Sequence, residues 1–122
     1  MYKYFNNNPN LNITSDCAVR AISKVLKLSW DEAFDLLAQM AKNMGVMPSD
    51  KAVTDAILRM NGFYKEGFPD CYKCYTVRDF ARNHPVGEYV VDTGSHVVAV
   101  IDGDWYDSWP SGDEHIIFYW TR

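Results

Sequence analysis

The stretch Ser15-Asp16-Cys17-Ala18-Val19-Arg20-Ala21-Ile22 places a cysteine at the expected first turn of a helix. Apolar residues with the three- and four-residue spacing of a buried helical face follow at Val19, Ile22, Val25 and Leu26. Ser15 or Asp16 is a suitable N-cap for this helix. Because unpaired backbone N–H groups and the helix dipole favour an anion at this end, the pattern predicts a Cys17 thiol biased toward the nucleophilic thiolate.

A candidate base for this thiol lies far downstream, in a predicted β-hairpin. Two strand-like runs flank Asp102-Gly103, a dipeptide typical of two-residue hairpin turns. With these two residues in the turn, His96 and Asp107 fall on one face as diagonal neighbours, about 7–8 Å apart at the backbone. An imidazole and a carboxylate can bridge that distance with a hydrogen bond. The sequence therefore predicts a nucleophilic triad of Cys17, His96 and Asp107.

These residues resemble the pattern of papain-like cysteine peptidases: Asp16-Cys17 opening a helix, Ser95-His96 on a distant strand and Tyr106-Asp107 on the next strand. The chain is most similar to the compact branch that processes bacteriocin leader peptides, and to small phage-encoded proteins with a similar Asp-Cys-x-x-Arg-Ala start. The resemblance extends over residues 8–120. It implies a papain-like fold, a peptide or protein substrate and hydrolysis through a thioester.

The resemblance also implies four roles in the site. The cysteine and histidine form the reactive pair, an acidic or amide residue orients the histidine, and an upstream amide side chain helps to bind the oxyanion. The first three roles fall on the predicted triad. At the position of the family's upstream glutamine this chain has Leu11, so the flanking residues Asn10 and Asn12 are the oxyanion-hole candidates.

Composition and charge restrict the partners. The formal net charge is −4 and the basic residues are scattered, which argues against a nucleic-acid partner. No apolar run approaches the roughly 18 residues that span a bilayer, and the first residues lack the apolar stretch of a signal peptide. Three cysteines, an odd number, suit a reducing compartment. We therefore expect no membrane partner and a cytoplasmic location, which for a phage-encoded protein is the bacterial host's cytoplasm.

The order of the elements predicts an α+β fold. We expect one papain-like domain over residues 1–122, with an N-terminal loop at residues 1–14 and a mainly helical part at residues 15–84. An antiparallel sheet of about four strands should occupy residues 88–120. Helices that precede the strands in this way would pack the Cys17 helix against the sheet that carries His96.

Several local signals define the helices within this plan. The Cys17 helix should extend to about Lys27, after which Ser29-Trp30-Asp31-Glu32 has the form of a capping box that begins a second helix. Pro48-Ser49-Asp50 and Thr76-Val77-Arg78-Asp79 resemble the starts of a third and a fourth helix. The last strand is predicted at residues 115–120.

One further motif is a C-x-x-C spacing, Cys71-Tyr72-Lys73-Cys74, which could bind a metal or form a redox pair. A structural zinc needs two more ligands, and the chain has three histidines and no second C-x-x-C. We therefore predict no metal site and no cofactor.

Alternatives to the catalytic interpretation stay open. Trp105, Trp109 and Trp120 could line a substrate cleft, although aromatic residues on such strands often belong to the core. His96 could be a core histidine whose hydrogen-bond acceptor is Asp107. A catalytically degenerate binding module would keep the pocket without turnover, and a deamidase or transglutaminase would use the same triad for acyl transfer.

Overall fold

The computed structural model describes residues 1–67 and 75–122. Over these residues the chain has an α+β fold in which four helices pack against a mixed sheet of six strands. In chain order the elements are β1 (Tyr2–Tyr4), α1 (Cys17–Leu26), α2 (Trp30–Met44), α3 (Lys51–Met60), β2 (Tyr64–Gly67), α4 (Val77–Asn83), β3 (Glu88–Asp92), β4 (Val97–Ile101), β5 (Asp104–Asp107) and β6 (Phe118–Thr121).

The sheet is larger than the predicted four strands. Its strand order is β1-β5-β4-β3-β6-β2, and every neighbouring pair is antiparallel except β1 and β5, which are parallel. The extra strands lie at the two edges, within the segments predicted as an N-terminal loop and as mainly helical. Both are only three or four residues long, and β2 is exposed throughout. Strands this short contain too few residues for an alternating apolar pattern to identify them from sequence.

The predicted hairpin turn is confirmed. Ile101 pairs with Asp104 across Asp102 and Gly103, which have φ angles of 49° and 84°. Two consecutive positive φ angles match the twist of a two-residue hairpin, and Asp-Gly tolerates them well. The last strand is shorter than predicted, because it begins at Phe118, while His115 makes only an isolated bridge to Thr76.

The helix ends follow the sequence signals with one exception. Ser29 and Glu32 form the predicted capping box of α2, and Asp50 and Thr76 cap α3 and α4 through their side chains. At α1, Asp16 occupies the N-cap position without donating or accepting a capping hydrogen bond through its side chain. Of the two N-cap candidates, Ser15 and Asp16, the structure places Asp16 at the cap, but its carboxylate contacts other side chains and makes no capping hydrogen bond.

Apolar side chains cover both faces of the sheet. Helices α1, α2 and α3 pack on one face through a cluster that includes Ile22, Leu37, Ile57, Val90 and Trp120. Helix α4 packs on the other face through a cluster that includes Phe80, Val91, Val98, Val100 and Trp105. Consecutive strand residues point to opposite faces, so β3 supplies Val90 to one cluster and Val91 to the other. Packing on both faces fixes α1 against β4, and with it the distance between Cys17 and the hairpin.

Two further expectations concern features outside this core. The C-x-x-C motif lies outside the described residues. No helix in the described part of the chain is both long and apolar enough to cross a bilayer.

Candidate functional site

Cys17 is the first residue of α1 and is half-buried. Its position gives its backbone N–H no carbonyl partner within the helix. Three cavities, of ≈ 700, ≈ 570 and ≈ 90 Å³, have Cys17 in their walls. The two larger cavities also share Thr14 and Ser15. A molecule that crosses this surface would therefore pass directly over the thiol.

The structure brings the three predicted triad residues together. His96 directly precedes β4 and Asp107 ends β5, so the hairpin register places them on one face. His96 Nε2 lies 2.6 Å from Asp107 Oδ2. Cys17 and His96 line two of the three cavities together, and each side chain shifts the pKa of the other. Because Nε2 is occupied by Asp107, the ring nitrogen available to the thiol is Nδ1.

The charges around the thiol favour its ionised form. Burial raises the pKa of Cys17, but the hydrogen bond from His96, a backbone hydrogen bond at Val97 and the positive charges of His96 and Arg20 outweigh burial and lower it overall. Burial lowers the pKa of His96, but hydrogen bonds to Asp107 and Cys17 outweigh it and raise the pKa to about 9. A lowered thiol pKa beside a raised imidazole pKa is the condition for a thiolate–imidazolium pair.

Asp107 is the most densely hydrogen-bonded side chain of the site, and it is only 1% exposed. Its Oδ1 accepts hydrogen bonds from Arg20 Nη2 at 3.1 Å and from the Ser108 backbone N–H at 2.7 Å. Its Oδ2 accepts from Ser111 Oγ at 2.5 Å, in addition to its contact with His96. Burial raises the pKa of Asp107, but the hydrogen bonds from His96 and Ser111 outweigh it and lower the pKa overall. The carboxylate is therefore held ionised and in one orientation.

Asp16 belongs to the same polar network. Its Oδ1 accepts a hydrogen bond from Arg20 Nη1, and its Oδ2 accepts one from Trp30 Nε1 at 2.9 Å. Arg20 thus bridges Asp16 and Asp107, and all three side chains are at least nine-tenths buried. These contacts explain why the carboxylate does not cap α1.

Sequence reasoning missed Arg20, Ser111 and Ser108 as partners of Asp107. The i, i+4 spacing of Asp16 and Arg20 on one helix was the available signal for the first of them. Since Arg20 lies on the helical face next to apolar positions, its burial also called for a carboxylate partner. Ser111 carried no comparable signal, because it reaches Asp107 only through the turn after β5.

The asparagine-rich loop before α1 forms one wall of the ≈ 700 Å³ cavity. Asn10 and Asn12, the predicted oxyanion-hole candidates, both line this cavity together with Cys17, and both are exposed. Asn8 lines it too, but is only 6% exposed. Its Oδ1 accepts the Asn10 N–H at 2.9 Å, as in an Asx turn, while its Nδ2 has no hydrogen-bond acceptor among the described residues. Asn8 is thus a third amide that lines the same cavity as Cys17, and the Asn8-Pro9-Asn10 turn signal could have indicated it.

The tryptophans lie in different environments. Trp109 is 41% exposed, lines the ≈ 570 Å³ cavity and has its ring centroid 5.1 Å from that of His96. Trp105 lies within the second core cluster and lines none of the three cavities, so its predicted cleft role is corrected to a core role. Trp105 lies two residues before Asp107 on β5 and shares its face of the sheet, but at a position that packs with the buried residues of α4. Trp120 is buried but reaches the ≈ 90 Å³ cavity.

Within the described residues, no group of three or more His, Cys, Asp or Glu side chains is arranged to hold a metal ion. Cys17, His96 and Asp107 supply a nucleophile, a proton carrier and an oriented carboxylate. Comparison with protein-family models, curated proteins and solved structures gives no match for this chain.

Proposed function

We propose that this protein is a thiol hydrolase, a cysteine peptidase or amidase with a papain-like arrangement of its site. Cys17 would be the nucleophile, His96 the general base and acid, and Asp107 the residue that orients His96. The observation that carries the proposal is that His96, held by Asp107, lines two cavities together with Cys17, which is in the wall of all three. A purely structural histidine would not need a partly accessible thiol on its second nitrogen.

The first half of the reaction forms a thioester. The Cys17 thiolate attacks the carbonyl carbon of an amide, forming a C–S bond and placing negative charge on the carbonyl oxygen. His96, as the imidazolium, donates its Nδ1 proton to the leaving nitrogen as the C–N bond breaks. In the second half, neutral His96 takes a proton from water, which attacks the thioester and releases the carboxylic acid and Cys17. Asp107 keeps Nε2 protonated throughout, so Nδ1 always faces the reaction.

The negative charge on oxygen needs hydrogen-bond donors. The Cys17 backbone N–H is one, since it begins α1 without an intrahelical partner and lies at the positive end of the helix dipole. An amide side chain of the preceding loop would be the second. Asn8, Asn10 and Asn12 all line the cavity beside Cys17, and Asn8 is the most restrained because its Oδ1 is already fixed by the Asn10 N–H.

An extended peptide is the substrate that this surface supports best. The two larger cavities share Thr14, Ser15 and Cys17 in their walls, so a chain that crosses the thiol would contact both. The ≈ 700 Å³ cavity includes apolar side chains of α1 and α2, among them Trp30, Phe34 and Leu37. These residues offer apolar area for substrate side chains next to the polar groups that carry the chemistry.

The test combines labelling with product analysis. A peptide that carries an electrophilic ketone should label Cys17, as located by peptide mass spectrometry, and Cys17→Ser should abolish the label while the fold is retained. His96→Ala should slow labelling at pH 7 by about a hundredfold or more. Preferential labelling of Cys71 or Cys74 would contradict the assignment.

Product analysis separates hydrolysis from the alternatives. Incubation of a peptide mixture in water enriched in heavy oxygen should place the heavy isotope in newly formed carboxyl groups. Transfer of an added amine to the substrate, without heavy oxygen, would instead indicate an acyltransferase that uses the same triad. Stable peptide binding without any product would indicate a binding module with a degenerate site.

A further inference from the structure

A buried arginine lies directly behind the candidate triad. Arg20 is one turn after Cys17 on α1, and its two terminal nitrogens contact different carboxylates, Nη1 that of Asp16 and Nη2 that of Asp107. Trp30, at the start of α2, donates its indole N–H to the free oxygen of Asp16. The network therefore connects α1, α2 and the end of β5 through one guanidinium.

We propose that Arg20 is a positioning residue of the site: its guanidinium, anchored by Asp16, fixes the Asp107 carboxylate in the orientation that holds His96 toward Cys17. This inference rests on the proposed function, because it assigns Arg20 a role in the same thiolate–imidazolium pair. It gives a role to Arg20 and Asp16, two buried residues that do not belong to the triad.

The geometry of the guanidinium supports this role. A guanidinium is planar and presents its donors in a rigid fork, so one Arg can hold two carboxylates at fixed positions, whereas the single ammonium of Lys cannot. Contact with Arg20 and the Ser108 N–H on Oδ1 leaves Oδ2 for His96 and Ser111. If Asp107 rotated, it would lose these hydrogen bonds in a buried site, where unpaired carboxylate oxygens are costly.

The surrounding charges support it as well. Asp107 is faced by Arg20 from α1, by His96 before β4 and by the Tyr2 hydroxyl from β1, which donates to its backbone oxygen at 3.1 Å. Among the described residues, Cys17 and Asp16 are the other ionisable groups of this network, and Arg20 is its permanent cation. Without Arg20, Asp107 would keep only the His96 imidazolium as a charged partner and the buried Asp16 would lose its own.

The test uses Arg20→Met, which keeps chain length and removes the charge, and Arg20→Lys, which keeps the charge and removes the fork. The same substitutions at Arg82, an exposed arginine of α4 that pairs with Asp79, are matched controls. For each folded variant, the rate of Cys17 alkylation by iodoacetamide is followed against pH by peptide mass spectrometry. The tautomer of neutral His96 is read from its ring-nitrogen chemical shifts by NMR at a pH above its pKa of about 9.

Positioning by Arg20 predicts that Arg20→Met lowers the alkylation rate at pH 7 by about tenfold and moves the pH midpoint upward. Arg20→Lys should recover only part of this rate and should show a mixture of His96 tautomers, while both Arg82 variants match the wild type. If Arg20→Met does not fold, the Arg20→Lys result decides.

A folded Arg20 variant with the wild-type pH profile and a single His96 tautomer would overturn the inference. Unfolding of both Arg20 variants would overturn it too, because Arg20 would then be a structural residue. These outcomes are distinct from failure of the proposed function, in which wild-type Cys17 itself would show no enhanced reactivity.

Discussion

The two ends of the candidate site are built in opposite ways. At the base end, Asp107 is buried and accepts hydrogen bonds from Arg20, His96, Ser111 and the Ser108 N–H. At the oxyanion end, the loop before α1 offers amides, of which only Asn8 is buried. The base end is therefore held rigidly by its hydrogen bonds, whereas the oxyanion end consists largely of solvated side chains.

This difference predicts that the base end is rigid and that the oxyanion end can move. Orientation of His96 tolerates no error, since a rotated imidazole would present the wrong nitrogen to the thiol. The oxyanion end must admit a substrate, and a surface loop can adjust as it does so. We therefore expect substitutions at the base end to change both stability and reactivity, and those in the loop to change mainly turnover.

Asp107→Ala should have the largest effect. This substitution leaves a cavity and removes the acceptor for the Arg20 and Ser111 donors. Removing one partner of a buried ion pair costs about 3–5 kcal/mol of unfolding free energy. The alkylation rate of Cys17 at pH 7 should also fall, because His96 loses its acceptor. Chemical denaturation and peptide-resolved alkylation measure the two effects. Unchanged alkylation in folded protein would mean that Cys17 and His96 act without Asp107.

Asp107→Asn sharpens this comparison. The resemblance to papain-like enzymes implies that an amide is tolerated at this position. However, both oxygens of the Asp107 carboxylate accept hydrogen bonds. An amide nitrogen in place of Oδ1 would be a donor placed against the N–H groups of Arg20 and Ser108. We expect Asp107→Asn to lose about 1–3 kcal/mol of stability and part of the reactivity. Wild-type stability in Asp107→Asn would show that the base end is less rigid than these contacts indicate.

Asn8→Ala tests the other end. If Asn8 donates to the oxyanion, its loss should lower kcat by about a hundredfold, the typical cost of one oxyanion donor. The alkylation rate of Cys17 by iodoacetamide, which forms no oxyanion, should change little. Asn10→Ala and Asn12→Ala are matched controls within the same loop, and a larger loss of kcat in either would transfer the role to that residue.

The pH dependence of stability distinguishes the contribution of the Cys17 thiol from that of the His96 imidazole. The folded-state pKa of His96 is raised from 6.5 to about 9, so its contribution to stability is complete below pH 6.5 and is lost as pH rises through about 9. The lowered thiol pKa has the opposite sign, since its contribution is present at high pH and is lost as pH falls through the folded-state value.

In the wild type these two contributions oppose each other over the range below pH 9 in which the folded-state thiol is ionised. In Cys17→Ser only the His96 contribution remains, and the free energy of unfolding should fall more steeply over that range than in the wild type. Denaturant titrations at several pH values measure both slopes. Parallel slopes would indicate that the thiol and the imidazole do not share a proton.

Trp109→Ala should have the smallest effect. The indole contacts His96 but is 41% exposed, so we expect less than about 1 kcal/mol of destabilisation and a reactivity change of a few-fold. Trp105→Ala, which empties a core position, should cost about 3–5 kcal/mol. Comparable melting temperatures for the two variants would contradict their different environments.

The sequence was sufficient for the features that depend on local patterns. The capping box at Ser29, the Asp102-Gly103 turn and the pairing of His96 with Asp107 each follow from a few neighbouring residues with defined conformational preferences. The start of α1 at Cys17 also follows from the spacing of the apolar residues that come after it.

The features that depend on distant contacts could not be predicted in this way. Strand β1 pairs with β5, about a hundred residues later in the chain, and its own three residues are too few to predict a strand by themselves. The hydrogen bond from Ser111 to Asp107 depends on the path of a turn. Asp16, which with Ser15 was a candidate N-cap, occupies the cap position, but its carboxylate pairs with the buried Arg20 instead of the helix N–H groups.

The thiol pKa of Cys17 tests the central claim most directly. It is obtained from the pH dependence of Cys17 alkylation by iodoacetamide, resolved by peptide mass spectrometry, in the wild type and in His96→Ala. The thiolate–imidazolium pair predicts a wild-type pKa below the ordinary value of 9.0, and a pKa raised above that of the wild type in His96→Ala, where burial is no longer opposed by the imidazole. A wild-type pKa at or above 9.0, or the same pKa in both proteins, would contradict the proposed site.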